Sequence, residues 1–174
     1  MNDGTSAQDA LSGGAFTYTN ANVGSGKTVN VSGASVVSAG TSVTNNYSIS
    51  YQANTASVIT PAPVTISGLS ANNKVYDTTV TASLSGTATI SGLLTGDTAT
   101  LSGTATAGTF ASSNVANGIA VTANLSNLAL SNSNYAIVGV TTPLSANITP
   151  APVTITASSD SKVYGSTTTQ ANIS

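Results

Sequence analysis

The residues best placed to do chemistry are a lysine and an aspartate in the stretch "NKVYDTT", which contains Lys74 and Asp77. The lysine recurs as Lys162 in the later stretch "SKVYGSTT". In a β domain without disulfides, a buried lysine could form an isopeptide bond with an asparagine, assisted by an aspartate. The alternative is that each lysine stem covers the edge of a core while its amine reaches water, where it also discourages strand aggregation.

Two further patterns suggest ligands but have simpler interpretations. Asp77 and Asp97, the latter in "TGDT", could bind calcium, although a tight calcium site needs several carboxylates close together. An aspartate in such a position otherwise stabilises a β-turn. The stretch "NVGSGKT" at residues 22–28 resembles a phosphate-binding loop but lacks the full spacing of that motif, so it predicts a glycine-rich hairpin.

The composition excludes most catalytic and metal-binding classes. The chain has no Cys, His, Glu, Arg or Trp, so catalytic triads, zinc sites and thiol chemistry lack their residues. We therefore expect no enzyme activity, no cofactor and no metal site. Three lysines cannot neutralise many phosphates, which argues against nucleic acid as a partner. No apolar run approaches the ~20 residues of a membrane span, so membrane insertion is not expected.

The same composition indicates strands. Charged residues make up 5% of the chain, whereas roughly a quarter is typical, and Thr, Val, Ser and Gly dominate. Apolar residues alternate with Ser, Thr and Asn, which is typical of antiparallel sheets with one face in a core. The alternating apolar positions are Val64, Ile66, Val80, Ala82, Leu84, Ile119, Val121, Ala123, Leu125, Leu144, Ala146 and Ile148.

A repeat of about 88 residues organises the chain. The octapeptide "ITPAPVTI" occurs at residues 59–66 and again at 148–155, and the flanking motifs recur at nearly the same offset. We predict an all-β chain of small antiparallel, β-sandwich-like (Ig-like) domains arranged head to tail. Residues 1–60 are interpreted as the later two-thirds of one repeat, 61–149 as one complete repeat, and 150–174 as the opening third of the next. The chain is then a window from a longer tandem array.

Aromatic and proline residues mark equivalent positions of the repeats. Three matched aromatic pairs are predicted core anchors: Phe16 with Phe110, Tyr47 with Tyr135, and Tyr76 with Tyr164. Proline cannot donate a ladder hydrogen bond, so the proline-rich stretches are predicted joints between repeats, at Pro61, Pro63, Pro150 and Pro152. Tyr18 and Tyr51 have no counterpart and are the first places to look for a binding patch.

These motifs resemble a known family. The Lys74–Asp77 stretch, the region of Phe110 and Asn114, the Asn134–Tyr135 pair and the closing "ITP" together resemble the YDG-type repeats of bacterial filamentous-haemagglutinin-like surface adhesins. The tail "ITPAPVTITASSDSKVYGSTT" resembles the start of the related MBG repeat of the YGX type. Thr78 stands where the family has glycine after Tyr-Asp, which does not favour a turn with positive φ. The resemblance implies tandem stalk domains in large exported adhesins, without catalytic residues.

We therefore expect a structural stalk or filament segment of a large secreted protein, located outside the cell on a bacterial surface. Its expected partners are copies of itself or adjacent repeats, end to end in a fibre, which strand donation between neighbouring units could complete. The alternative is an adhesive module that recognises a glycan or a host surface.

Overall fold

The computed structural model describes residues 9–157, 159, 161 and 163–165, and this part of the chain is all-β. It contains no α-helix, and a single 3-10 turn lies at Thr44–Asn46. The strands are β1 (Ala10–Tyr18), β2 (Gly24–Ser38), β3 (Thr41–Ser42), β4 (Asn54–Ile59), β5 (Ala62–Ala71), β6 (Lys74–Val75), β7 (Thr81–Ser91), β8 (Leu101–Ser102), β9 (Ala107–Phe110), β10 (Ala116–Ala123), β11 (Ala129–Leu130), β12 (Tyr135–Val140) and β13 (Leu144–Thr149).

The first sheet is built around the long strand β2. Strand β1 pairs with it antiparallel along one side, with Phe16 opposite Val31, and β3 and β4 pair with it antiparallel along the other. Val36 of β2 is buried, whereas β1 is exposed along most of its length. Residues 24–28 of the glycine-rich stretch belong to β2, and the Thr19 N–H donates to the Thr28 carbonyl at 3.1 Å, as expected for a hairpin between β1 and β2.

The second sheet has seven strands in the order β12-β5-β7-β9-β10-β13-β6, and β8 pairs with β11 separately. The pairs β7–β9, β9–β10 and β10–β13 are antiparallel. Strand β6 instead runs parallel to β13, with Lys74 opposite Ile148, which corrects the expectation of a purely antiparallel sheet. The pair is parallel because the residue numbers of both strands rise together, with Val75 opposite Thr149.

The core of the second sheet confirms most of the alternation seen in the sequence. Its buried side chains come from β7, β9, β10 and β13 and are Ala82, Leu84, Phe110, Val121, Leu144, Ala146 and Ile148. Val80 is an exception and is exposed. It precedes β7, and its carbonyl accepts a hydrogen bond from the Phe110 N–H at 2.7 Å, so its backbone rather than its side chain supports the core.

Two glycines allow β5 and β7 to approach closely. A Cβ added at Gly86 would lie 2.1 Å from the Gly68 carbonyl oxygen, and both residues have positive φ, at 93° and 82°. Only glycine tolerates both conditions without strain. The close approach explains why both positions within these strands are glycine.

The described residues divide into two compact units. Unit 1 comprises residues up to 65 together with 90–102 and 130–138, and unit 2 comprises 66–89, 103–129 and the residues from 139 onward. The predicted complete repeat, 61–149, therefore contributes segments to both units. In the described part of the chain, the structure contains no helix with the length and hydrophobicity of a transmembrane span.

Candidate functional site

Lys74 and Asp77 form a compact polar turn at the end of the second sheet. The Lys74 Nζ donates to Asp77 Oδ1 at 2.7 Å, to the Thr79 carbonyl at 2.7 Å and to Thr79 Oγ1 at 3.0 Å. The Lys74 Nζ also lies 5.5 Å from the centre of the buried Phe110 ring, within cation–π range. The lysine therefore covers the core edge with its stem and directs its three N–H bonds into one turn.

Asp77 organises the same turn from the acceptor side. Its Oδ1 accepts hydrogen bonds from the Thr79 N–H and hydroxyl, each at 2.9 Å. The hydrogen bond from Lys74, followed by those from Thr79, lowers the pKa of Asp77 from its usual 3.8 to about 2. This geometry is that of an aspartate that stabilises a β-turn, because the carboxylate is used within the turn itself. No group of three or more potential metal-ligating side chains occurs among the described residues.

Thr78 adopts a backbone conformation with positive φ, which threonine does not favour. Its φ is 68°, in the left-handed region, so the turn after Tyr-Asp is kept although threonine replaces glycine there. A β-branched residue in this region is strained. The polar network of Lys74, Asp77 and Thr79 surrounds Thr78 in the chain and holds it in this conformation.

A second site, which we name the tyrosine clamp, joins Tyr135 to Leu94 and Asp97. The Tyr135 hydroxyl donates to Asp97 Oδ2 at 2.5 Å and accepts from the Leu94 N–H at 3.2 Å. The Asp97 N–H in turn donates to the Leu94 carbonyl at 3.0 Å, which closes the turn. The phenol thus contacts both ends of one β-turn. The hydrogen bond to Asp97, together with burial, raises the pKa of Tyr135, against a smaller opposing effect of the Leu94 N–H.

The same pairing recurs earlier in the chain. The Tyr47 hydroxyl donates a short hydrogen bond to Asp9 Oδ2, and both members lie 88 residues before Tyr135 and Asp97. Each tyrosine also follows a turn closed by its own N–H, from Tyr47 to the Thr44 carbonyl at 3.0 Å and from Tyr135 to the Asn132 carbonyl at 3.2 Å. Sequence reasoning missed the aspartate partners, although each lies 38 residues before its tyrosine.

A different member is buried in each of the two tyrosine–aspartate pairs. In the first, Asp9 is buried and Tyr47 half-buried, whereas in the second Tyr135 is buried and Asp97 exposed. Within the described residues, Asp9 Oδ1 is buried without a hydrogen-bond partner. The hydrogen bond is therefore the shared feature of the two sites, while the burial around it differs.

A cleft of about 380 Å³ lies in unit 1 beside the tyrosine clamp. Asn134 holds the segment at Asn22 and Val23 on one side of the cleft. Its Oδ1 accepts a hydrogen bond from the Val23 N–H at 2.9 Å, and its Nδ2 donates to Asn22 Oδ1 at 3.0 Å. Its carbonyl also accepts from the Ala62 N–H at 2.8 Å. The lining is mixed: Ala21, Asn22, Val23, Ile59, Thr60, Ala62, Leu94, Asp97, Asn134 and Tyr135.

The predicted anchors differ in their burial. Phe110 and Tyr135 are buried and Tyr47 is half-buried, but Phe16 is 74% exposed, Tyr76 lies at the surface, and Tyr164 is fully exposed. The last three are therefore not core residues in this structure. Phe110 on β9 belongs to a cluster of buried side chains from β7, β10 and β13, whereas β1, which carries Phe16, contributes no residue to the buried core of the described chain. Tyr18 and Tyr51 are also exposed, and Lys162 lies outside the described residues.

The predicted joints occupy different positions relative to the strands. Pro61 lies between β4 and β5, as a joint would, but β5 begins at Ala62, so Pro63 is its second residue. Proline is tolerated near the start of a strand, where no partner needs its missing N–H. Pro150 directly follows β13, and Pro152 lies in an irregular, exposed stretch.

No curated protein and no solved structure matches the chain significantly. One family model does match, and it covers the tyrosine clamp at Tyr135 and the strands of the second sheet except β13. Residues 60–143 match the YDG domain family, which supports the YDG family for this segment of the chain.

Proposed function

We propose that the chain is a structural stalk segment of a large secreted bacterial surface protein, in which β domains follow one another in an extended fibre. The observation that carries the proposal is the tyrosine–aspartate hydrogen bond that recurs at an offset of 88 residues. A recurring internal bond at a fixed spacing is expected when one structural unit is used repeatedly. The YDG match over residues 60–143 is consistent with this, because the family resemblance implies tandem stalk domains.

The polar groups of the chain are used to hold turns. Lys74, Asp77 and Thr79 bond to one another, and so do Tyr135, Asp97 and the Leu94 backbone. Such mutual satisfaction suits a load-resisting domain better than a catalytic site, in which reactive groups face a substrate. With 5% charged residues, few interactions are screened by salt, so the stiffness of the fibre should vary little with ionic strength.

Force spectroscopy on the full chain, held at its two ends, tests the proposal. A stalk segment should resist extension and then yield in abrupt steps, with each released residue adding about 3.3–3.6 Å of length. The rupture force should stay the same between about 0.05 and about 1 M salt. Smooth extension without force peaks would contradict a load-bearing role. Immunogold labelling of the source cells tests the location, and labelling confined to the cell interior would refute it.

An adhesive module is the second candidate, favoured by the cleft in unit 1. Its rim carries Asn22 and Asn134 beside the apolar side chains of Val23 and Leu94, a mixture suited to a sugar ring. Binding of the chain to a glycan array, lost in Asn22→Leu but kept in Asn72→Leu, would support this function. No binding to any glycan or host surface protein would leave the stalk as the better explanation.

A further inference from the structure

One octapeptide of this chain lies in two opposite environments. In "ITPAPVTI" at residues 59–66, Val64 and Ile66 are each 1% exposed. In the identical stretch at 148–155, Val153 is 84% exposed and Ile155 is 70% exposed. Residues 151–156 form no regular strand. The same eight residues can therefore be buried as a strand, and in the second copy the described residues leave Val153 and Ile155 exposed.

The first copy shows which strand pairs with such a segment. Strand β5, which contains Val64 and Ile66, lies beside β12 in the sheet. The Ala62 N–H donates to the Asn134 carbonyl, and the Thr141 N–H donates to the Ile66 carbonyl, both at 2.8 Å. The residue numbers rise together in these two bonds, so the strands run parallel.

The counterpart of β12 occurs earlier in the chain, and no strand of the described residues pairs with it. Residues 135–140 read "YAIVGV", and residues 47–52, at an offset of 88, read "YSISYQ". Both begin with the tyrosine of a tyrosine–aspartate pair and follow a turn closed by that tyrosine's N–H. Residues 48–53, however, form no regular strand. Strands β5 and β12 pair with each other, and the counterpart of each, at residues 150–156 and 47–52, is irregular.

We propose that residues 150–156 of one copy of the chain add as a parallel strand beside residues 47–52 of a neighbouring copy. The proposal rests on the stalk function and names its partner, a second copy. By analogy with β5 and β12, the Ala151 N–H would donate to the Asn46 carbonyl, and Thr154 would lie beside Ser50. Val153 and Ile155 would then be buried as Val64 and Ile66 are. Neither segment carries a charge, so no like-charge repulsion opposes their pairing.

Cysteine cross-linking tests the register, because the chain has no cysteine of its own. In the double variant Ser50→Cys/Thr154→Cys, mild oxidation of the full chain should give a ladder of disulfide-linked dimers and higher oligomers. The control Ser50→Cys/Thr142→Cys carries its second cysteine on an exposed loop of unit 2 and should remain monomeric. Equal ladders in both variants, or a disulfide within a single copy in the first, would overturn the proposal.

Mass measurements test the buried side chains. The average mass in sedimentation equilibrium should rise with concentration, and Val153→Asp/Ile155→Asp should return the chain to a monomer. The matched control is Val163→Asp, which changes an equally exposed valine of the same tail and should leave association unchanged. A free peptide with the sequence of residues 148–155 should compete and lower the mass. A chain that is monomeric at every concentration refutes strand addition but not the stalk, which force spectroscopy tests separately.

Discussion

The sequence makes Phe16 and Phe110 equivalent, but the structure assigns them very different contributions to stability. Phe110 is 2% exposed and contacts the core of the second sheet, whereas Phe16 is 74% exposed on β1. Truncation of a buried Phe to Ala costs about 3–5 kcal/mol, because apolar contacts are lost and a cavity remains. About a quarter of the Phe16 side chain is covered, and full burial of such a side chain is worth ~2–3 kcal/mol, so Phe16→Ala should cost ~0.6 kcal/mol.

Urea unfolding at low protein concentration measures both effects. The chain has six tyrosines and no tryptophan, so tyrosine fluorescence reports the transition, with circular dichroism as a second probe. With a slope of about 2 kcal/mol per molar urea, Phe110→Ala should lower the unfolding midpoint by ~2 M, and Phe16→Ala by about 0.3 M. Phe110→Leu should fall between wild type and Phe110→Ala, because it leaves a smaller cavity.

Two results would refute this reasoning. Equal losses in Phe16→Ala and Phe110→Ala would mean that β1 is covered in solution and that the sequence equivalence extends to burial. A small loss for Phe110→Ala would mean that the second sheet does not depend on this core. If Phe16→Ala costs more at high than at low concentration, the covering surface comes from another copy.

Three further predictions concern backbone strain and charge. Thr78→Gly should stabilise the chain by about 1 kcal/mol in the same urea assay, because glycine adopts the positive φ of 68° without strain. The control Thr142→Gly lies in an exposed loop without positive φ and should destabilise the chain slightly. Gly86→Ala should lower the melting temperature far more than Gly118→Ala, since an added Cβ at Gly86 meets a carbonyl at 2.1 Å and one at Gly118 meets open space, although both have positive φ. Equal shifts would show that φ alone sets the cost. The pKa of Asp77 is lowered to about 2, so its contribution to stability is present above pH 3.8 and is lost as pH falls toward 2. The stability difference between wild type and Asp77→Asn should therefore shrink over that range, and a constant difference would contradict the Lys74 pairing.

The sequence predicts those features that depend on neighbours close in the chain. Alternation along a strand sets which side chains share a face, so Val64, Ile66, Ala82 and Leu84 were identifiable as core residues without knowledge of their partners. The role of Asp77 was also within reach, because its partners Lys74 and Thr79 lie in the same turn.

Features that depend on distant segments could not be read in the same way. The exposure of Phe16 depends on whether other side chains pack against the face of β1, and nothing in the local alternation of β1 distinguishes it from β9. The partners of Tyr47 and Tyr135 lie 38 residues away, where a lone aspartate carries no visible pattern. The positive φ of Thr78 is imposed by the surrounding hydrogen bonds, against the preference of threonine.

The recurring tyrosine–aspartate bond constrains how the chain between its ends can vary. The segment from Asp97 to Phe110 is six residues longer than the matching segment from Asp9 to Phe16. The segment from Phe110 to Tyr135 is six residues shorter than the one from Phe16 to Tyr47. The two changes in length cancel, so the tyrosine and aspartate keep the same separation although the strands between them have shifted. A hydrogen bond from a phenol to a carboxylate is worth about 1.5–3 kcal/mol, so a change in length that broke it would lower stability by about that amount. Compensation of this kind is expected if the clamp, rather than any intervening strand, defines the length of the structural unit.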